Sequence, residues 1–275
     1  MKKINLVITM LAVALLGSFS LVPCARAAVD LELVLSLDVS ASIFTPQNDF
    51  ITEHQGYVDA FNNAAIFNAI QNGVNDAISV SVVYWAERQV TVIPFTLIDS
   101  FAASQAFATL LAAQSDPSIY NLGTQTGLGN ALAYSGTLFG GTCKSPRCVI
   151  DVSGDGVTNI NNGVDLSGNQ AGSEAATSAG RASALAAGTT TINGITVDAN
   201  NFVQQHYKNF VIGGTNAFHV HANTFADFDE TILAKLLTEI GPGNGGQPGI
   251  IPEPSTLLLL TSGIMSAFLY RRKFA

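Results

Sequence analysis

The chain has 275 residues, of which 48% are hydrophobic and only 12% charged, with a formal net charge of −8. Six of its twelve basic residues (Lys2, Lys3, Arg26, Arg271, Arg272, Lys273) sit at the two ends, so residues 28–251 carry six basic residues against nineteen acidic ones, a net charge of −13. That acidity argues against nucleic acid and anionic membrane as partners, since both call for stripes of Lys and Arg. It suits divalent cations and solubility outside the cell.

At the start, Met1-Lys2-Lys3 is followed by a mostly apolar run over 4–22 and then Ala25-Arg26-Ala27. A positive start, an apolar middle and small residues at −3 and −1 describe a secretory signal peptide over residues 1–27, cut after Ala27. Cys24 falls inside the removed segment, and Pro23 before it is wrong for a lipidation site. A single domain over 28–240 then has enough chain to bury one sizeable core.

Its first predicted strand, 31–37, ends in Asp38-Val39-Ser40-Ala41-Ser42. One carboxylate and two hydroxyls at alternate positions form a set of hard oxygen donors, suited to Mg²⁺, Mn²⁺ or Ca²⁺ rather than zinc or copper. As the chain leaves the strand and curls, such side chains can converge on one point. Taken alone, the same residues also read as an ordinary turn, because Asp and Ser bond their own backbone.

Thr45-Pro46 reads as an N-cap followed by Pro at the first helical position. The helix it opens runs to about Asn72, with Phe50, Val58, Phe61, Ala65 and Ile66 on one face. Residues 77–85 and 89–95 form a hairpin turning at Glu87-Arg88, and 100–114 an Ala-rich helix. A Gly/Thr-rich loop from Gly123 enters a helix over 126–138. Cys143 and Cys148 bracket a short turn, and in an oxidising compartment they pair. Closing so short a loop stabilises by about 2 kcal/mol. A strand over 147–152 ends in the acidic turn Ser153-Gly154-Asp155-Gly156. A helix over 171–187 stopped by Gly188 follows, then a strand over 189–197 with a turn at Asn193-Gly194. Next come a helix over 201–210, a strand over 217–221 and a closing helix over 224–240 with Phe225, Phe228, Ile232 and Leu236 inside. Strands alternating with helices mean a doubly wound α/β fold, with a mostly parallel central sheet covered on both faces. Ligands of such sheets sit outside the carboxyl ends of the strands, where strand order reverses.

Residues 241–251 are a Gly/Pro linker. In 252–275, Pro252-Glu253-Pro254 precedes an apolar stretch over 256–270 and the basic Arg271-Arg272-Lys273. That stretch reaches membrane-spanning length only with its flanks, and the basic end should stay cytoplasmic.

Other chemistry is weaker. His219 and His221 share a strand face as a zinc pair would, but no third ligand stands at the right spacing. Ser153 sits in no G-x-S-x-G turn, and a triad with His206, His219 or His221 has no support. Tyr84-Trp85 reads as core rather than as a stacking platform. The Asn159–Asn162 run reads as a surface loop shaping the rim beside Asp155.

Asp38-Val39-Ser40-Ala41-Ser42, Gly123-Thr124-Gln125-Thr126-Gly127 and Val149-Ile150-Asp151-Val152-Ser153-Gly154-Asp155-Gly156, in this order, resemble the von Willebrand factor type A fold. Its metal-ion-dependent adhesion site joins a D-x-S-x-S segment, a Thr on a later loop and an Asp after a central strand. The resemblance assigns Asp38, Ser40 and Ser42 to the first segment. In the family the Thr stands six residues before an apolar helix position, which implies Thr126 (six before Leu132) over Thr124, and an Asp-Gly pair follows the strand, which implies Asp155 over Asp151. Val39 stands where the family often has Gly. The blocks 149–156, 191–195, 209–214 and 225–228 are similar to a bacterial secreted subgroup of unassigned function. The tail resembles a PEP-CTERM sorting signal of Gram-negative bacteria, which implies an exosortase-type protease as partner and transient membrane association through the tail helix. Together these imply an exported, non-enzymatic adhesion module that engages a protein or acidic polysaccharide through Mg²⁺ (or Mn²⁺ or Ca²⁺). The rival readings are a metal-assisted hydrolase, which would need a spare general base beside the motifs, and a structural matrix protein whose metal only stabilises it.

Overall fold

The computed structural model describes residues 28–44 and 47–241. The expected signal peptide, Thr45-Pro46 cap, linker and tail membrane helix lie outside the described residues.

Three strands are buried along their whole length: β1 (Leu31–Asp38), β2 (Ile78–Trp85) and β4 (Cys148–Gly154). Their near-continuous Val, Ile and Leu content fits strands covered on both faces. With β3 (Gln89–Ile98) and β7 (Thr191–Val197) they form the order β3-β2-β1-β4-β7. Beyond β7 lie the two-residue β8 (Gly213–Gly214) and β9 (His219–Ala222). β1, β2, β4, β7 and β9 are parallel, while β3 and β8 run antiparallel to their partners. The chain leaves β1 toward β2 and β3, then returns to the other side of β1 for β4 and β7. Strand order therefore reverses between β1 and β4.

On one face, β1 and β2 side chains such as Leu33, Leu35 and Val82 pack with α2 (Gln47–Asn62), α3 (Ala64–Gln71), α4 (Phe101–Ala112) and α8 (Phe228–Ile240). On the other, Val34, Ile150 and Ile192 pack with α5 (Leu128–Thr137), α6 (Gln170–Ala186) and the segment after α7 (Asn201–His206). A short α1 (Ala41–Phe44) follows β1. Tyr84 and Trp85 are both fully buried, as core.

Several elements differ from the sequence expectation for visible reasons. The helix expected to reach Asn72 is two, because Asn63 adopts an extended conformation and its side chain caps Ala65 N at 2.9 Å. The expected turn at Asn193-Gly194 is absent and β7 runs straight through. Asn193 instead uses its amide inside the core, accepting from Phe218 N and donating to Glu239. Gly194 lets the Tyr207 ring approach, since a Cβ there would lie 2.9 Å from Tyr207 Cδ1. The helix expected over 201–210 opens after His206 into a π-turn, Tyr207–Val211. A small hairpin, β5 (Ile160–Asn161) and β6 (Val164–Asp165), occupies the Asn-rich loop.

Cys143 and Cys148 are joined by a disulfide at the entry to β4. Beside it, Arg147 donates to the carbonyls of Glu239 (2.6 Å) and Ile240 (3.0 Å), satisfying the carboxyl end of α8.

Candidate metal centre

β1 ends at Asp38, whose carboxylate is completely buried. Its Oδ1 accepts from Ser40 N at 2.8 Å, which starts the curl that brings the next two serines round. Ser40 is buried, and its hydroxyl lies 3.3 Å from that of Ser42. Ser42 faces solvent and donates to Asp155 Oδ1 at 2.8 Å, across 113 residues of chain.

Three loops are stitched into a ring. Ala41 N donates to Thr124 O (2.9 Å), binding the first loop to the second. Thr126 N donates to Asn159 Oδ1 (2.7 Å) and Asn159 N donates back to Thr126 O (2.9 Å), binding the second to the third. Ser42 to Asp155 closes the circuit. The Thr126 hydroxyl lies over Gly156, where an added Cβ would come within 3.3 Å of Oγ1. Glu87 holds the second loop from outside, accepting from Thr124 N and Gln125 N, and these bonds keep its carboxyl below the ordinary range.

The structure thus brings Asp38, Ser40, Ser42, Thr126 and Asp155 to one end of the sheet, outside the carboxyl ends of β1 and β4. Thr126 is buried at the junction, while the Thr124 side chain is exposed on the rim. Asp151 is elsewhere: it lies midway along β4, opposite Leu35 and Asn193, with Lys235 Nζ at 2.5 Å.

The electrostatics ask for a cation. Burial raises the Asp38 carboxyl well above its ordinary value, and the nearby Asp155 raises it further. Asp155 is raised by burial too, with Asp198 and Asp49 adding to the effect against the bond from Ser42. Asp38 Oδ2 is buried without a hydrogen-bond partner. Two crowded carboxylates and three hydroxyls, all oxygen donors, fit a hard divalent cation. Asp38, Asp155, Ser40, Ser42 and Thr126 would hold it.

Sequence reasoning missed two residues here. Asn159, read as rim, is the clamp on the Thr126 loop; its signal is the Asn-rich run, but its partner stands 33 residues away. Glu53, on α2, is a fully buried carboxylate whose two oxygens have no hydrogen-bond partner. Burial pushes it up to about 8, with Asp155 and Asp151 adding to the effect. Nothing in the polar α2 sequence marks it.

The three histidines weighed as ligands or triad members are occupied otherwise. His219 Nε2 and His221 Nδ1 bond Thr196 Oγ1 at 2.9 and 3.0 Å, and His206 bonds Thr177. Among the described residues, the one group of three or more His, Cys, Asp or Glu within ligand reach is Glu32 with Cys143 and Cys148, whose sulfurs are bonded to each other.

A twisted, mostly parallel sheet with such a loop cluster at its switch point defines a von Willebrand A-like domain. The chain belongs to the family described as "Protein of unknown function (DUF1194)", a von Willebrand A-like family that matches residues 28–243. A PEP-CTERM protein-sorting motif matches residues 251–273. No curated protein matches the chain. Among solved structures, the PilB minor pilin of Streptococcus sanguinis is similar with a TM-score of 0.58 at 12% identity, covering 78% of this chain and 62% of that one. The pilus adhesin SpaC of Lactobacillus rhamnosus GG gives 0.55 at 12%, over 78% and 31%. Proximal thread matrix protein 1 of the mussel byssus gives 0.52 at 16%, over 78% and 48%, and one of its structures has a zinc-occupied MIDAS motif. At these identities the likeness shows the fold, and the chain spans less than two thirds of each of these proteins. Among the described residues, no helix is long and apolar enough to cross a membrane.

Proposed function

We propose that this domain is an exported adhesion-type module that engages an acidic group of a protein or polysaccharide partner through a divalent cation. The observation that carries the reading is the ring of hydrogen bonds that closes three remote loops around two carboxylates and three hydroxyls, with Asp38 Oδ2 left unpaired. When bound, the cation supplies a positive charge with a coordination position open to a partner's oxygen; Mg²⁺ suits this, with Mn²⁺ or Ca²⁺ as substitutes. Ser40, Ser42 and Thr126 offer neutral oxygens, so that only Asp38 and Asp155 offset the cation's charge. That leaves electrostatic demand for an anionic group from outside. The sorting motif and the pilus-protein neighbours support export and surface association, and the zinc-occupied neighbour supports a divalent cation.

A hydrolase would have to draw its general base from Asp49 or Asp198 beside Asp155, because Glu53 is fully buried. The test is calorimetry with Mg²⁺ on wild type and on the double variant Ser40→Ala, Asp155→Ala. We expect at least a hundredfold loss of affinity in the variant; unchanged affinity refutes the ligand assignment. Capture of extracellular components with and without Mg²⁺ then identifies the partner.

A further inference from the structure

Behind the loops, two buried oxygen atoms lack any hydrogen-bond partner: Asp38 Oδ2 and the hydroxyl of Tyr207. Both residues are completely shielded from solvent. They come from opposite ends of the domain's sequence, yet they face the same bare backbone position. A Cβ added at Gly154 would lie 2.7 Å from the Tyr207 hydroxyl and 2.9 Å from Asp38 Oδ2. Any side chain there would collide with both oxygens; glycine leaves the space they share free.

The Tyr207 ring is held from a second side. It packs against Gly194 of β7, where an added Cβ would again be too close at 2.9 Å. Tyr207 also opens the π-turn, closed by Ile212 N donating to Tyr207 O at 3.0 Å. Such turns give up regular helical bonding and recur at functional sites. A tyrosine wanted only for its ring could be phenylalanine at this position. Retaining a buried hydroxyl with nothing to bond costs about 1–3 kcal/mol, so its presence calls for a use.

We propose that Tyr207 is a positioning residue of the metal centre, its hydroxyl donating toward the second oxygen of Asp38 and so fixing that carboxylate for the cation. Ser40 N holds Oδ1, and the Tyr207 hydroxyl, unpaired in the metal-free structure, would take one lone pair of Oδ2 and leave the other for the cation, so that the two donors together set the plane of the carboxylate. Tyr207 itself does not touch the cation. The role rests on the metal-binding reading above. Partners of this kind, one layer behind a ligand, typically change metal affinity by about 10–100-fold.

The test compares full-length wild type, Tyr207→Phe and Ser40→Ala. Mg²⁺ affinity is measured by calorimetry, the metal-free melting temperature is recorded, and the near-ultraviolet tyrosine difference spectrum is followed on adding Mg²⁺. Tyr207→Phe keeps the ring and removes an unpaired hydroxyl, so its metal-free melting temperature should equal or exceed that of wild type. Its Mg²⁺ affinity should fall about tenfold, and the metal-induced tyrosine signal of wild type should disappear. Affinity within twofold of wild type, a persisting tyrosine signal, or a lower metal-free melting temperature that accounts for the weaker binding each overturns the proposal. If wild type binds Mg²⁺ and Ser40→Ala does not, while Tyr207→Phe binds normally, only the Tyr207 role fails. If wild type itself does not bind, the metal reading fails and takes this one with it.

Discussion

Asp151 and Asp155 are four residues apart on and just past one strand, yet they live in opposite electrostatic worlds. Asp151 is sealed in the middle of the sheet, where Lys235 from α8 reaches both it and Glu239, each at 2.5 Å, and Asn193 donates to Glu239 at 2.8 Å. That cluster contains its own cation. Asp155 sits at the strand's carboxyl end with Asp38, Ser42, Asp49 and Asp198 around it, and the charges that act on it are those of other carboxylates. The first pair of acids was neutralised from within and serves the packing of the last helix. The second was left short of positive charge, which is what a site for an external cation requires.

The sharpest way to break this contrast is to remove the internal cation. Lys235→Met should destabilise the fold by about 3–5 kcal/mol, because Asp151 and Glu239 are then buried without their partner. Denaturant unfolding would show it, and saturating Mg²⁺ should not restore the loss, since the two clusters are separate. A stability change below about 1 kcal/mol would mean that the triad does not lock α8 as described.

The external cluster should behave in the reverse way. Adding Mg²⁺ at a hundred times its dissociation constant should stabilise wild type by about 2.7 kcal/mol, and chelation should remove all of it. Asp155→Asn should abolish that increment while leaving metal-free stability equal or higher, as a crowded carboxylate is gone. Thermal melts with and without EDTA read both effects.

The last test is a pH slope. Burial raises Glu239 and Glu53 to about 8, so the folded chain holds these protons more tightly than the unfolded one, whose glutamates titrate near 4.5. Their contribution is complete below about pH 4.5 and is lost as the pH climbs through about 8. Each group gives at most about 1.4 kcal/mol per pH unit in that window. His54, His206 and His219 work the other edge: burial lowers them to about 4, so their contribution is present above pH 6.5 and lost on acidification toward 4. Glu239→Gln should flatten the alkaline limb of a melting-temperature profile and leave the acidic limb unchanged. An unaltered alkaline limb would mean that Glu239 is not protonated in the fold.

Much of the architecture was legible because it is written locally. The unbroken apolar runs of β1, β2 and β4 announce strands covered on both sides, and the inner stripe of α8 appears at its expected spacing. Asp38, Ser40 and Ser42 are close in sequence and follow a strand, so their convergence needs only a turn. Thr126 and Asp155 were reached through the family resemblance, since no local rule ties residue 42 to residue 155. Asn193-Gly194 misled for the same reason: a good turn dipeptide was overruled by Asn193 bonding to Phe218 and Glu239.

By itself, then, the sequence determined the layered α/β plan, the oxygen-rich character of the loop after β1, and the acidic balance of the domain, because each depends on neighbours along the chain. Only the tertiary structure decided which carboxylate keeps Lys235 and which faces hydroxyls, that Asn159 clamps Thr126, and that Tyr207 stands behind Asp38 at Gly154. Those outcomes depend on burial and on contacts between segments far apart in sequence, and burial is what turns a common side chain into a strongly shifted or strongly held one.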